Sequence, residues 1–143
     1  MKKHFQNLFL SLCAVLVLTG CGRSEEEALD KCRANLRKVA EAISVYEAEW
    51  NMYPMNWEGL EEEFKEDSRI SLTSESFVCP ASKDGSCSYE LLCPGAEQTP
   101  GTPVVCCRGH KDKILVGRGD GSVCTAPELI KEDGKWKMKW PEK

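Results

Sequence analysis

The chain of 143 residues has little histidine, no long apolar run and no excess of positive charge. Its only histidines are His4 and His110. Acid–base catalysis near neutral pH most often uses that side chain, so the chain carries little for it. The sequence has no G-x-S-x-G, no H-E-x-x-H, no Walker loop and no C-x-x-C pair. The main apolar stretch, Phe9 to Leu18, has about half of the roughly 20 residues that a membrane-spanning helix needs. Net charge is −4, and a phosphate backbone is bound by a basic face, so nucleic acid is not an expected partner. Internal repeats and long low-complexity tracts are also missing.

What is present begins at the N-terminus. Lys2 and Lys3 precede the apolar stretch, and small residues and a cysteine follow it. That is the layout of a secretory signal. Leu18-Thr19-Gly20-Cys21 resembles a bacterial lipobox. Thr19 and Gly20 are small enough for a peptidase, and a thiol is a good nucleophile for lipid attachment. The resemblance implies that Cys21 is acylated and becomes the first mature residue. The alternative is an ordinary signal peptide with an incidental cysteine. Each buried methylene is worth about 0.8 kcal/mol, so two or three acyl chains hold a protein stably on a membrane. Gly22 stands where aspartate is the inner-membrane retention signal in many Gram-negative bacteria, which favours the outer membrane over the inner. The organisation expected is a signal over 1–20, a lipidated tether over 21–27 and one domain over 28–143. Cleavage removes Lys2 and Lys3, leaving 17 basic against 23 acidic residues, net −6. A mature chain of about 120 residues supports one domain with a modest core.

Of nine cysteines, Cys13 lies in the signal and Cys21 takes the lipid. Cys32, Cys79, Cys87, Cys93, Cys106, Cys107 and Cys124 remain. An exported protein meets an oxidising compartment, so all seven are disulfide candidates. Their number is odd, so at least one thiol stays free or pairs between molecules. Each bridge is worth about 2–4 kcal/mol.

The segment 24–50 is the clearest element. Ser24 followed by Glu27 forms a capping box, and the flanking acids suit the positive end of a helix dipole. Leu29, Cys32, Leu36, Val39, Ile43, Tyr46 and Trp50 recur at alternating three- and four-residue steps. That predicts one apolar stripe on a helix about 40 Å long, packed on its own domain. Pro54 breaks it, and "WEGLEEEF", Trp57 to Phe64, predicts a short second helix whose run of Glu61, Glu62 and Glu63 is a solvated face. Then "SFVCP", "CSYELL", "TPVVC", "DKILVG" and "GSVCT" are short β-prone runs between Gly, Pro and Ser clusters. The fold class expected is α+β, a long N-terminal helix on a small antiparallel sheet, braced by disulfides. In the tail, Asp133-Gly134 is a hairpin turn signal. Trp136, Met138 and Trp140 then alternate with lysines, as on a half-buried edge strand. An interfacial or glycan-binding strip is the alternative reading.

Together these pieces resemble the heads of bacterial type IV pilins and type II secretion pseudopilins. "CRANLRKVAEAISVYEAEWNMYP", Cys32 to Pro54, is similar to their post-stem helix and Y-P loop. "WEGLEEEF" is similar to their next helix, and Val78-Cys79-Pro80 to a recurrent cysteine-proline after it. His110, nine residues, then Asp120-Gly121 is similar to the signature of the prepilin-type H-X9-DG proteins. The resemblance spans roughly residues 32–124 and implies a pilin-like head. The G-F-x-L-x-E segment and apolar stem of a pilin are missing, and a lipobox stands in their place. Pilin, pseudopilin or secretion-system proteins are the partners it implies, beside the membrane.

The residues around His110 and Asp120 admit three readings. Cys106, Cys107, His110 and a distant cysteine would suit a tetrahedral zinc site, but their spacing matches no zinc ribbon and export favours oxidation. The preferred reading is a hairpin lock without metal or cofactor. In it His110 hydrogen-bonds Asp120 or a turn carbonyl, and Gly121 supplies a positive φ. Major pseudopilins bind calcium in a late loop, but Asp112 and Asp120 are too sparse for the six to eight oxygens that calcium takes. The function expected is an envelope lipoprotein with a non-catalytic structural or interaction role. A stand-alone module for a glycan or protein ligand is the alternative, followed by a metal- or thiol-dependent enzyme.

Overall fold

The computed structural model describes residues 2–140 except 68, 83–84, 86–87, 93 and 95–100, and for residues 2–24 the backbone alone. Helix α1 runs unbroken over Lys2–Trp50. It does not begin at the expected cap, Ser24, so in the full chain the expected tether 21–27 is helical. Good helix formers follow without proline, and the Glu27–Lys31 ion pair at 2.8 Å ties one turn to the next. Asn51 ends the helix in the left-handed region, φ 55°, its N–H donating to the Glu47 carbonyl at 2.7 Å. Pro54 lies beyond that stop.

Helix α2, Trp57–Phe64, starts at Asn56, whose side chain accepts from the Gly59 N–H at 2.9 Å. Leu60 and Phe64 are its buried residues, and Glu62 and Glu63 are exposed. The β-prone "SFVCP" run instead forms a 3-10 turn over Ser74–Phe77, followed by an isolated bridge from Val78 to Ser88. The Ser76 hydroxyl accepts from the Thr73 N–H at 3.1 Å, a local bond that competes with strand pairing.

Strands β1 (Glu90–Leu91), β2 (Pro103–His110), β3 (Lys113–Arg118) and β4 (Val123–Ala126) form one antiparallel sheet in chain order. Strands β5 (Glu128–Glu132) and β6 (Lys135–Lys139) form a separate hairpin. Its turn, Asp133 and Gly134, has φ of 51° and 77°, the two positive values that an Asp-Gly hairpin turn requires. Trp136 and Met138 are half-buried between exposed lysines, as the alternation predicts.

The α+β class and the helix on an antiparallel sheet are as expected. On α1, Cys32, Leu36, Val39, Ala40 and Ile43 are fully buried, while Trp50 at the end of the stripe is 54% exposed. Helix and sheet pack tightly at Gly117. A Cβ there would lie 2.6 Å from Val105 Cγ1 and 2.9 Å from Ala40 Cβ. The other face of the sheet meets the β5–β6 hairpin, with Cys124 Sγ 3.3 Å from Met138 Sδ and the Arg108 guanidinium 6.0 Å from the Trp136 ring centre.

Disulfide bracing is not what holds the described residues. Cys32, Cys79, Cys106, Cys107 and Cys124 are all free thiols, and the core is closed by apolar packing. Cys87 and Cys93 lie outside the described residues.

Candidate metal centre

Four chemistry-bearing side chains converge where the helix meets the sheet. Cys32 comes from the buried stripe of α1, and Cys79 from the segment just after the 3-10 turn. Cys107 and His110 come from β2. One ligand atom from each of the four lies within 4.8 Å of every other. Cys79 Sγ is 3.7 Å from Cys32 Sγ and 3.5 Å from His110 Nε2. The three cysteines are buried, and His110 is half-buried.

Strand geometry alone would not bring Cys107 and His110 together. Side chains three apart on a regular strand point to opposite faces. The β2–β3 register shifts between Cys107 and His110, and such an irregularity re-aims the side chain that follows it. His110 therefore turns toward the thiols. The same alternation sends Cys106 the other way, where its Sγ lies 3.5 Å from Glu90 Oε2. The sequence-based grouping of Cys106 with Cys107 and His110 is thus corrected. Cys106 leaves the cluster, and the distant partners are Cys32 and Cys79. Cys124 is also elsewhere, beside Met138.

The Asp120 arm of the expected hairpin lock is not formed. His110 lies at one end of β3 and Asp120 just beyond the other, roughly 20 Å apart at strand rise. His110 Nε2 faces Cys79, and Asp120 Oδ1 accepts from the Ser122 N–H at 2.9 Å. Gly121 does take a positive φ, 79°. Cys21 lies on the helical backbone of α1.

Tyr89 closes the cluster from the side. It is 2% exposed, its hydroxyl donates to the Cys32 carbonyl at 3.3 Å, and the same oxygen is 3.4 Å from Cys32 Sγ. Its backbone is fixed at both ends. Tyr89 N–H donates to Phe77 O at 2.8 Å, and Tyr89 O accepts from Trp57 Nε1 at 3.2 Å. Trp57 in turn stacks on Phe77, ring centres 4.8 Å apart.

Burial pushes the Cys79 thiol up. The hydrogen bond with Cys32, then burial, push Cys107 up. Burial raises Tyr89. Burial, then the charge on Lys113, push His110 down, toward neutral imidazole. Across the sheet, burial and then the Glu90 carboxylate push Cys106 up to about 12. Burial thus disfavours the charged forms of Cys79, Cys107 and His110 when no cation is bound.

No protein-family model matches the chain, and neither does any curated protein or solved structure. The cluster is thus read from its own chemistry. Three thiols and an imidazole with no carboxylate among them suit a soft metal or thiol oxidation.

Proposed function

We propose that the chain is an envelope lipoprotein, held on a membrane through lipid on Cys21. Its domain from residue 28 onward has a structural or interaction role rather than a catalytic one. The observation that carries this reading is the order Lys2-Lys3, apolar stretch, Leu18-Thr19-Gly20-Cys21. Among the residues whose side chains are described, from 25 onward, no helix is long and apolar enough to cross a membrane. Gly22 after the lipidated position favours the outer membrane.

The domain is a pilin-like head in this reading, on the residues that resemble pilins and H-X9-DG proteins. A long helix laid across an antiparallel sheet supports it. The apolar stripe of α1 is spent on its own sheet from Cys32 to Ile43, so that face is not free to pack in a fibre. Trp50 at the C-terminal end of α1 and Met52 and Met55 in the loop after it are exposed. They supply an apolar edge where a pilin, pseudopilin or secretion-system protein would seat.

Replacing Cys21 with Ser tests the anchor. The variant is expected to fold and to leave the membrane fraction. A variant that still sediments with membranes would refute lipid anchoring. In-cell cross-linking through position 52 tests the role. Pilus or secretion components in the product support the assembly reading, and unrelated envelope proteins favour a stand-alone binding module.

A further inference from the structure

We propose that Cys32, Cys79, Cys107 and His110 form a closed tetrahedral site for one zinc ion. Zinc–sulfur bonds of about 2.3 Å and zinc–nitrogen bonds of about 2.0–2.1 Å fix the edges of a tetrahedron. Those edges are about 3.8 Å between sulfurs and about 3.6 Å between sulfur and nitrogen. The observed separations are 3.7 Å from Cys79 Sγ to Cys32 Sγ and 3.5 Å from Cys79 Sγ to His110 Nε2. A disulfide would bring two sulfurs to about 2.05 Å. All four ligand atoms lie within 4.8 Å of one another, so the set surrounds one point rather than forming a chain of contacts. An ordinary buried thiol contact accounts for two sulfurs in touch. It does not account for a histidine turned by a strand irregularity onto three of them.

The donor set assigns the role. Three cysteines and one histidine fill all four positions of zinc, which leaves none for water or substrate. The site is structural and joins three segments that are distant in sequence: α1, the loop after the 3-10 turn, and β2. It supplies the cross-link that disulfides were expected to supply.

Binding is a proton exchange and involves no oxidant. Three thiols lose three protons to solvent, neutral His110 donates its Nε2 lone pair, and the zinc–ligand unit carries one net negative charge. A bound cation reverses the effect of burial on the thiols. Tyr89 stands as the outer partner, its hydroxyl 3.4 Å from Cys32 Sγ. Groups of this kind orient the ligands and tune the metal.

The test uses the full chain in detergent, reduced and kept under inert gas, then supplied with zinc or with cobalt as a spectroscopic probe. One metal per chain is expected, with the intense visible bands of tetrahedral cobalt and sulfur-to-cobalt charge transfer. Cys32→Ser, Cys79→Ser, Cys107→Ser and His110→Ala should each weaken zinc binding by more than the tenfold to hundredfold that outer-shell changes cost, and Tyr89→Phe by about that range. Cys106→Ser and Cys124→Ser should bind as the parent does. His110→Cys keeps four soft ligands and should restore a tetrahedral cobalt spectrum, which separates a lost ligand from a lost fold. Less than half an equivalent of metal, an octahedral spectrum, or binding undiminished in the four ligand variants would each overturn the site. Membrane release of the Cys21→Ser variant reads the anchor independently, so failure of one proposal is distinguishable from failure of the other.

Discussion

Substitution of Gly117 by Ala adds one methyl where helix and sheet pack tightly. The new Cβ would meet Val105 Cγ1 at 2.6 Å and Ala40 Cβ at 2.9 Å, with Leu36 Cγ at 3.8 Å. Carbon atoms rest at about 3.5–4.0 Å, so Val105, the neighbour on β2, must shift by about 0.9 Å and the helix at Ala40 by about 0.6 Å. Neither neighbour yields readily. Ala40 has no rotamer to change, and Val105, a β-branched residue, is stiff about χ1. Overpacking of this kind costs about 1–3 kcal/mol. Removing glycine from a strand returns about 0.5–1 kcal/mol. A net loss of about 1–2 kcal/mol is expected, measured as a lower urea midpoint at unchanged slope. A double-mutant cycle then isolates the cause. Ala40→Gly alone should cost about 1 kcal/mol through helix propensity. Combined with Gly117→Ala it should cost less than the sum of the two, with a coupling of about 0.5 kcal/mol or more. Strict additivity, or a Gly117→Ala midpoint equal to that of the parent, would refute the close-contact account.

Stability should fall as pH rises above about 9. Cys106 holds its proton to about 12 in the fold because burial and Glu90 oppose the thiolate, whereas an unfolded thiol releases it near 8.5. Between those values the unfolded chain binds fewer protons, so each pH unit removes up to about 1.4 kcal/mol from this group alone. Cys106→Ala should flatten the urea midpoint against pH over that range, and parallel profiles would contradict the assignment. Gly134→Ala meets no atom within 4 Å, so its cost is the left-handed backbone alone, about 1–2 kcal/mol. Faster amide exchange confined to β5 and β6 is the expected signature. Loss of membrane association in Cys21→Ser and loss of metal in the four ligand variants complete the set.

The large elements were legible because their periodicities are strong. The stripe from Leu29 to Ile43 gave the buried face of α1, and Asp133-Gly134 with alternating Trp136 and Met138 gave the last hairpin. Ser24 misled as a start signal. A capping box acts only if the preceding residues leave the helix, and α1 continues through them. The ligand set was half legible. Cys107 and His110 were grouped with Cys106 and an unspecified distant cysteine, in a reading ranked below the metal-free hairpin lock. Which face each thiol takes depends on strand phase, and the marker of the register shift before His110 is Gly109, a glycine inside the strand that the sequence reading did not use. Cys32 was visible only as a member of an apolar stripe, a place a thiol occupies equally well as a small hydrophobe. Export pointed to disulfides, which the five described thiols do not form.

The unbroken helix has a mechanical consequence. Between Cys21 and Cys32 it rises only about 16 Å. With the chain tethered through Cys21, a pull on the anchor is a pull along the axis of α1. That force reaches the sheet through the interlock of Ala40 with Gly117 and through the side chains gathered around Cys32. Those junctions tie α1 to β3 at Gly117 and to β2 at Cys107 and His110, so the load is shared by more than one strand. If lipid on Cys21 is the anchor, the Trp50 end of α1 lies beyond both junctions, on the far side from the pull.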